Sequence, residues 1–248
     1  SLWLDRSGVF AGRSEVCAPV VKKGASGGSV RLLVDRSVES TGTVPPPGLD
    51  EPWGVLVAEL LGIPRVGSFY AGTVADRASV TAGFRQHFYG LVPAVGEASM
   101  TKGAKPRPLV TTALVDPLLC RWGSVPARFA GERWNAPVVD ELVVAVDSPE
   151  VAGWLARHER PKLLVATQTR VIEVVVDPAG TMVPATPLVI IEPDEADLWL
   201  LAAALSAPPV TALAAVTTLG TAWSAGRIKL AARQVAGLPL PVDSGAWN

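Results

Sequence analysis

The stretch Arg160 to Ile191, RPKLLVATQTRVIEVVVDPAGTMVPATPLVII, sets the tightest limit on what this chain can fold into. Two apolar runs rich in β-branched residues flank Asp177-Pro178-Ala179-Gly180. Runs of this kind, bounded by turn-forming residues, predict paired strands with a short connection. The first run carries a polar island, Thr167-Gln168-Thr169-Arg170. A buried strand has no use for four polar residues in succession. Either they sit where the strand leaves the core, or they contact something outside the chain.

Residues on either side supply the other elements. Ser14 to Val21 and Val30 to Val34 are apolar runs joined by Lys22 to Ser29, and predict a β-hairpin. A lone hairpin is marginal in water, so these strands must pack on something else. Ser37 to Asp50, with Pro45-Pro46-Pro47, reads as an extended linker. Pro52 to Leu61 predicts a short helix stopped by Gly62 and Pro64. Gly67 to Ala82, Leu109 to Asp116, Arg121 to Phe129 and Pro137 to Val146 predict strands. Gly83-Phe84-Arg85-Gln86-His87-Phe88-Tyr89-Gly90 predicts a tight loop anchored by its aromatics. Ser148-Pro149-Glu150 predicts a helix start, continuing to about Glu159. Asp194 to Ala204 and Pro209 to Leu219 predict two helices, with Ser206 placed to cap the second. Gly226 to Leu230 predicts a short basic strand or loop, Ala231 to Ala236 a last helical turn, and Leu238 to Pro241 a closing segment. Strands interspersed with helices, without regular alternation, predict an α+β fold.

Composition narrows the function. The 248 residues are 49% hydrophobic, enough to build a sizeable core. No uninterrupted apolar stretch reaches the roughly 18 residues of a membrane span, and no signal-peptide pattern opens the chain, so a cytoplasmic location without membrane contact is expected. The two cysteines, Cys17 and Cys120, are far apart and read as buried thiols rather than a disulfide. With His87 and His158 they lack metal-ligand spacing. The formal net charge of −1 gives no global sign of a nucleic-acid partner. Locally, Ala98 to Asn135 holds six bases (Lys102, Lys105, Arg107, Arg121, Arg128 and Arg133) against two acids (Asp116 and Glu132). That stretch is either a solvated loop or a phosphate-facing patch.

Catalytic patterns are missing from the sequence. It has no GxSxG, HExxH, CxxC or GxGxxG. Asp140-Glu141 is an acidic pair, but neighbours on a strand point to opposite faces and cannot share a site. Arg85, Gln86 and His87 remain as outward polar groups, and Arg and Gln are side chains that pair with guanine and adenine edges.

The order of motifs resembles a known family. GFRQHFYG follows the first strand of a domain. PKLLVATQTR and VDPAG come later, then LAAALSAPPVTALAAVTTLGTAW, a basic strand, a short helix and LPLP. This order is similar to the target-recognition domain of N6-adenine DNA methyltransferases of the TaqI type, and to specificity domains of restriction–modification systems. The resemblance spans about Pro52 to Pro241. It implies a β-rich recognition domain at 52–248 with C-terminal helices, a Pro-rich linker at 37–51, and at 1–36 a hairpin left from a Rossmann-like methyltransferase sheet. It implies double-stranded DNA as partner, together with a methyltransferase domain or subunit that binds S-adenosylmethionine. Base contacts would come from Arg85, Gln86 and His87, joined by Gln168 and Arg170. Phosphate contacts would come from Lys102, Lys105, Arg107, Arg121, Arg128, Arg227 and Lys229. Phe10 matches the aromatic that holds the extruded adenine, against the plain alternative of a core or edge aromatic. The family's Asn-Pro-Pro-Tyr or Asp-Pro-Pro-Tyr loop is missing here, since Asn occurs only at 135 and 248 and neither precedes Pro-Pro. The chain is therefore expected to recognise DNA without methylating it alone. The alternative is a protein-interaction or structural module with no DNA role.

Overall fold

The computed structural model describes residues 1–5, 16–24, 28–35, 42–48, 53–56, 58, 61–67, 70–100, 107–219 and 227–242. Along the chain run β1 (Leu2–Asp5), β2 (Val16–Pro19), β3 (Val30–Val34), β4 (Gly42–Val44), β5 (Tyr70–Thr73), β6 (Ala78–Ala82), α1 (Arg85–Leu91), β7 (Val95–Glu97), β8 (Arg107–Val110), β9 (Val115–Asp116) and β10 (Leu119–Cys120). Then come β11 (Ala127–Phe129), β12 (Glu132–Trp134), β13 (Pro137–Val139), α2 (Glu141–Asp147), α3 (Pro149–Arg157), β14 (Lys162–Val165), β15 (Gln168–Thr169), β16 (Val174–Asp177), β17 (Val183–Pro184) and β18 (Val189–Pro193). The last are α4 (Leu198–Ser206), α5 (Pro208–Thr218), β19 (Ile228–Lys229), α6 (Ala232–Ala236) and β20 (Pro239–Pro241). The chain is α+β, with mostly antiparallel sheets. It divides into two compact units, one of 1–68 with 212–229 and one of 69–211 with 230–248.

In the first unit the strand order is β2-β1-β3-β4. The runs expected to form a hairpin with each other do not pair. β1 lies between them, antiparallel to β2 and parallel to β3. Leu2 and Leu4 of β1 are buried with Leu32 and Leu56, which gives this short strand the central place. β4 falls inside the segment read as a linker, and adds to the sheet beside β3. Where a helix was expected over Pro52 to Leu61, the described residues form a 3-10 turn, Trp53–Leu56. Cys17 is exposed on an edge strand rather than buried.

The second unit is built on the sheet β16-β14-β18-β6, antiparallel throughout. Its central strand, β14, is buried along its whole length. Leu164 faces Val175 on one neighbour and Ile190 on the other, and all three join the main core. By the pleat, Leu163 and Val165 point to the opposite face, where α4 packs. Burial on both faces explains the uninterrupted apolar runs. The second sheet, β17-β8-β13-β7, and α1, α2 and α3 complete the core through Leu91, Leu109, Val110, Val139, Val144, Val151 and Leu155.

The pairing differs from expectation. The segment after Asp177-Pro178-Ala179-Gly180 does not fold back on β16. The hairpin is β14 with β16, turning through the polar island, and β18 takes the other edge of β14. Gly180 has φ +72, and a Cβ there would lie 2.6 Å from the Arg160 backbone nitrogen. Neither the conformation nor the backbone can yield cheaply. Gly180→Ala is expected to destabilise the protein by more than about 1 kcal/mol in urea unfolding. A change within about 0.5 kcal/mol, the range of an ordinary surface substitution, would refute this account.

Two further segments depart from the expected type. Gly83 to Gly90 contains helix α1 rather than a loop. Pro137 to Val146 splits into β13 and α2, because the Asp140 carboxylate accepts the N–H groups of Leu142 (3.0 Å) and Val143 (3.4 Å) and starts a helix. Asp140 is thus a helix cap, and the strand argument about its pair with Glu141 does not apply. Ser206 donates its hydroxyl to Ala202 O (2.8 Å) within α4. No single helix among the described residues is long and apolar enough to cross a membrane; α4 and α5 pass that test only as a pair bent by 67°.

Candidate nucleic-acid interface

Strand register brings two of the predicted contact segments to one end of the central sheet. Val165, the last residue of β14, pairs with Val174 at the start of β16 and with Val189 at the start of β18. Val189 in turn pairs with Ala82, the last residue of β6. The chain therefore leaves β6 toward Arg85, and leaves β14 toward Gln168, at the same end. One strand separates the two exits, roughly 10 Å at the usual strand spacing. Between them the Thr186-Pro187 turn, with a cis peptide, leads into β18. Thr186 Oγ1 donates to Phe84 O (3.4 Å). A Cβ on Gly83 would come within 2.6 Å of that hydroxyl, so the start of α1 is held close to the turn.

Helix α1 owes its start to a side chain. His87 Nδ1 accepts the Phe84 N–H (3.0 Å), and the imidazole stacks on Trp154 of α3 with centroids 4.2 Å apart. Partial burial lowers the His87 pKa, and its neighbours His158 and Arg157 lower it further. The lowered pKa and the accepting Nδ1 both favour the neutral ring. His87 thus holds the helix in place. Arg85 and Gln86 are exposed. Arg85 donates to Tyr89 Oη (3.0 Å), with its guanidinium 5.3 Å from the centre of that ring. Phe84 and Tyr89 are also exposed. Together they present a basic and aromatic surface.

The polar island divides in two. Thr167 and Thr169 are buried, and Thr169 donates its hydroxyl to Val171 O. The Thr167 carbonyl accepts the Leu230 N–H (2.9 Å). Gln168 is half-buried and Arg170 is exposed. The island lies where β14 leaves the core, and it still turns Arg170 outward.

The phosphate candidates fare differently. Phe10, Lys102 and Lys105 lie outside the described residues. Arg107 is 5% exposed and cannot face a backbone phosphate. It ion-pairs with Glu141 (2.5 Å) and donates Nε to Thr181 O (3.0 Å), so it ties β8 to α2 and to the turn after β16. Arg121 is partly exposed and paired with Asp116 (3.2 Å). Arg128 is exposed on β11. Arg227 is exposed and Lys229 half-buried, both in the first unit.

At the opposite end of the sheet lies a buried ion pair that the sequence reading missed. Lys162 is fully buried, with Nζ 2.7 Å from Asp177 Oδ2 and donating to Gly180 O at 2.9 Å. Asp177 also accepts the N–H groups of Thr181 (3.1 Å) and Met182 (2.8 Å). Burial lowers the Lys162 pKa, and the hydrogen bond and charge of Asp177 oppose that shift. The signal was available in the pairing of a Lys entering one apolar strand with an Asp leaving another. His158, on the loop after α3, forms a second buried contact, Nδ1 to Glu192 Oε1 at 2.7 Å. Among the described residues no three His, Cys, Asp or Glu side chains gather as a metal-holding group. No protein-family model and no curated protein matches the chain.

Proposed function

We propose that this chain is the DNA-recognition part of an adenine-N6 methyltransferase. It positions duplex DNA for a catalytic domain or subunit that binds S-adenosylmethionine. One observation carries the reading: the α1 segment with Arg85 and Gln86, and the island with Gln168 and Arg170, leave one end of a single rigid sheet. Their separation of roughly 10 Å is about three base steps of B-DNA, at 3.4 Å each. Arg and Gln suit bidentate contacts to guanine and adenine in the major groove. His87 serves this site by fixing α1. Binding of a duplex library, read by sequencing the bound fraction, tests the proposal. Affinity is expected to fall as salt rises. Arg85→Ala is expected to relax preference at one position by about 1–3 kcal/mol. Undetectable duplex binding at low salt, or salt-independent binding, would end this reading.

A protein-contact role is the second reading. It is favoured by Leu142 and Val146, exposed one turn apart on α2. It predicts self-association or partner binding that is insensitive to salt and is lost in Leu142→Ser.

A further inference from the structure

We infer that the β11–β12 ribbon is a phosphate clamp for the backbone of double-helical DNA, in which Arg128 and Arg133 hold one phosphate between them. This rests on the DNA reading above and adds to it the element that grips the backbone.

In the ribbon, Arg128 pairs directly with Arg133, Ala127 with Trp134, and Phe129 with Glu132. Directly opposed residues share a face, and neighbours along a strand alternate. Ala127 and Phe129 are buried in the main core, and Trp134 packs against it. That fixes one face inward and leaves the two arginines on the other, both exposed. Glu132 lies on the Phe129 side by the same alternation. Among the described residues no carboxylate lies within ion-pair distance of either guanidinium.

Like charges placed directly opposite on a ribbon oppose its formation. The arrangement therefore works against the fold, and nothing in the described structure offsets it. A phosphate between the two forks removes the repulsion and accepts bidentate hydrogen bonds from each. The site is also firmly mounted. Trp134 Nε1 donates to Phe129 O (3.4 Å), and Ala130 and Gly131 close the tip with positive φ of 52° and 86°. A short ribbon with one face packed and a cationic outer face can lie along a groove and meet the sugar–phosphate wall.

The test uses Arg128→Gln, Arg133→Gln and the double variant in the full chain, with Arg121→Gln as control because Arg121 is already paired with Asp116. Three measurements are made: Tm at low salt, Tm with added inorganic tripolyphosphate, and duplex affinity over a salt series. Each ribbon variant is expected to raise Tm at low salt without ligand, since repulsion is relieved. Tripolyphosphate is expected to raise the wild-type Tm and to leave the double variant unmoved. The slope of log affinity against log salt is expected to fall by about one in total in the double variant, which loses the one shared phosphate contact, and by less for Arg121→Gln. Equal protection of wild type and double variant by tripolyphosphate overturns the clamp. Duplex binding with an unchanged salt slope in the double variant also overturns it, while leaving the DNA reading intact. No duplex binding by wild type overturns both.

Discussion

Asp177→Ala is expected to remove about 3–5 kcal/mol of stability, the cost of leaving a buried charge without its partner. Lys162 has no exposure through which water could replace the carboxylate. The same substitution strips the acceptor from two backbone N–H groups, those of Thr181 and Met182. Lys162→Met gives the opposite case. It removes the ammonium and leaves Asp177 with both backbone donors, so its cost is expected to be smaller, about 1–3 kcal/mol. Urea unfolding of the two variants decides the matter. If Lys162→Met proves the more damaging, the carboxylate is not the hub of this end of the sheet.

Leu164→Ala is expected to cost about 2–5 kcal/mol, because its side chain is fully buried and closely packed on both flanks. The neighbours are Val175 and Ile190 on the two adjoining strands. Strands paired on both sides cannot close the resulting hole without shifting a whole ladder. Leu164→Met keeps the volume and is expected to lose less than about 1.5 kcal/mol. Leu142→Ala, on the exposed face of α2, should stay within about 0.5 kcal/mol of wild type. A comparable loss for Leu164→Ala and Leu164→Met in denaturant midpoint would show that cavity formation is not the dominant cost.

These residues also show what was readable in the sequence. Helix α3 was legible because Ser148-Pro149-Glu150 supplies a local start signal. The strands of the central sheet were legible as apolar runs, but their partners were not. β18 prefers the edge of β14 over that of β16, a choice made by whole-sheet packing rather than by the turn at 177–180. Helix α1 was read as a loop since glycines and aromatics give no helix signal. Its first turn depends on His87 reaching back to Phe84 and resting on Trp154, a residue distant in sequence. In α2 the β-branched residues suggested strand, and the Asp140 cap prevailed. Of the candidate contacts, Arg85, Gln86 and Arg128 are exposed. Arg107 was misjudged because its charge was visible and its burial beside Glu141 was not.

The central sheet separates two kinds of residue along its strand axis. Lys162 and Asp177 lie roughly 10 Å, three residues, from the end where Gln168 and Arg85 emerge. Arg85 and Arg170 are exposed at that end, apart from the buried ion pair. Within the island, Thr167 and Thr169 are tied to the scaffold while Arg170 faces outward. On the proposed DNA-recognition reading, such a layout lets exposed positions such as Arg85 and Arg170 change specificity while the buried ion pair stays at the far end of the sheet.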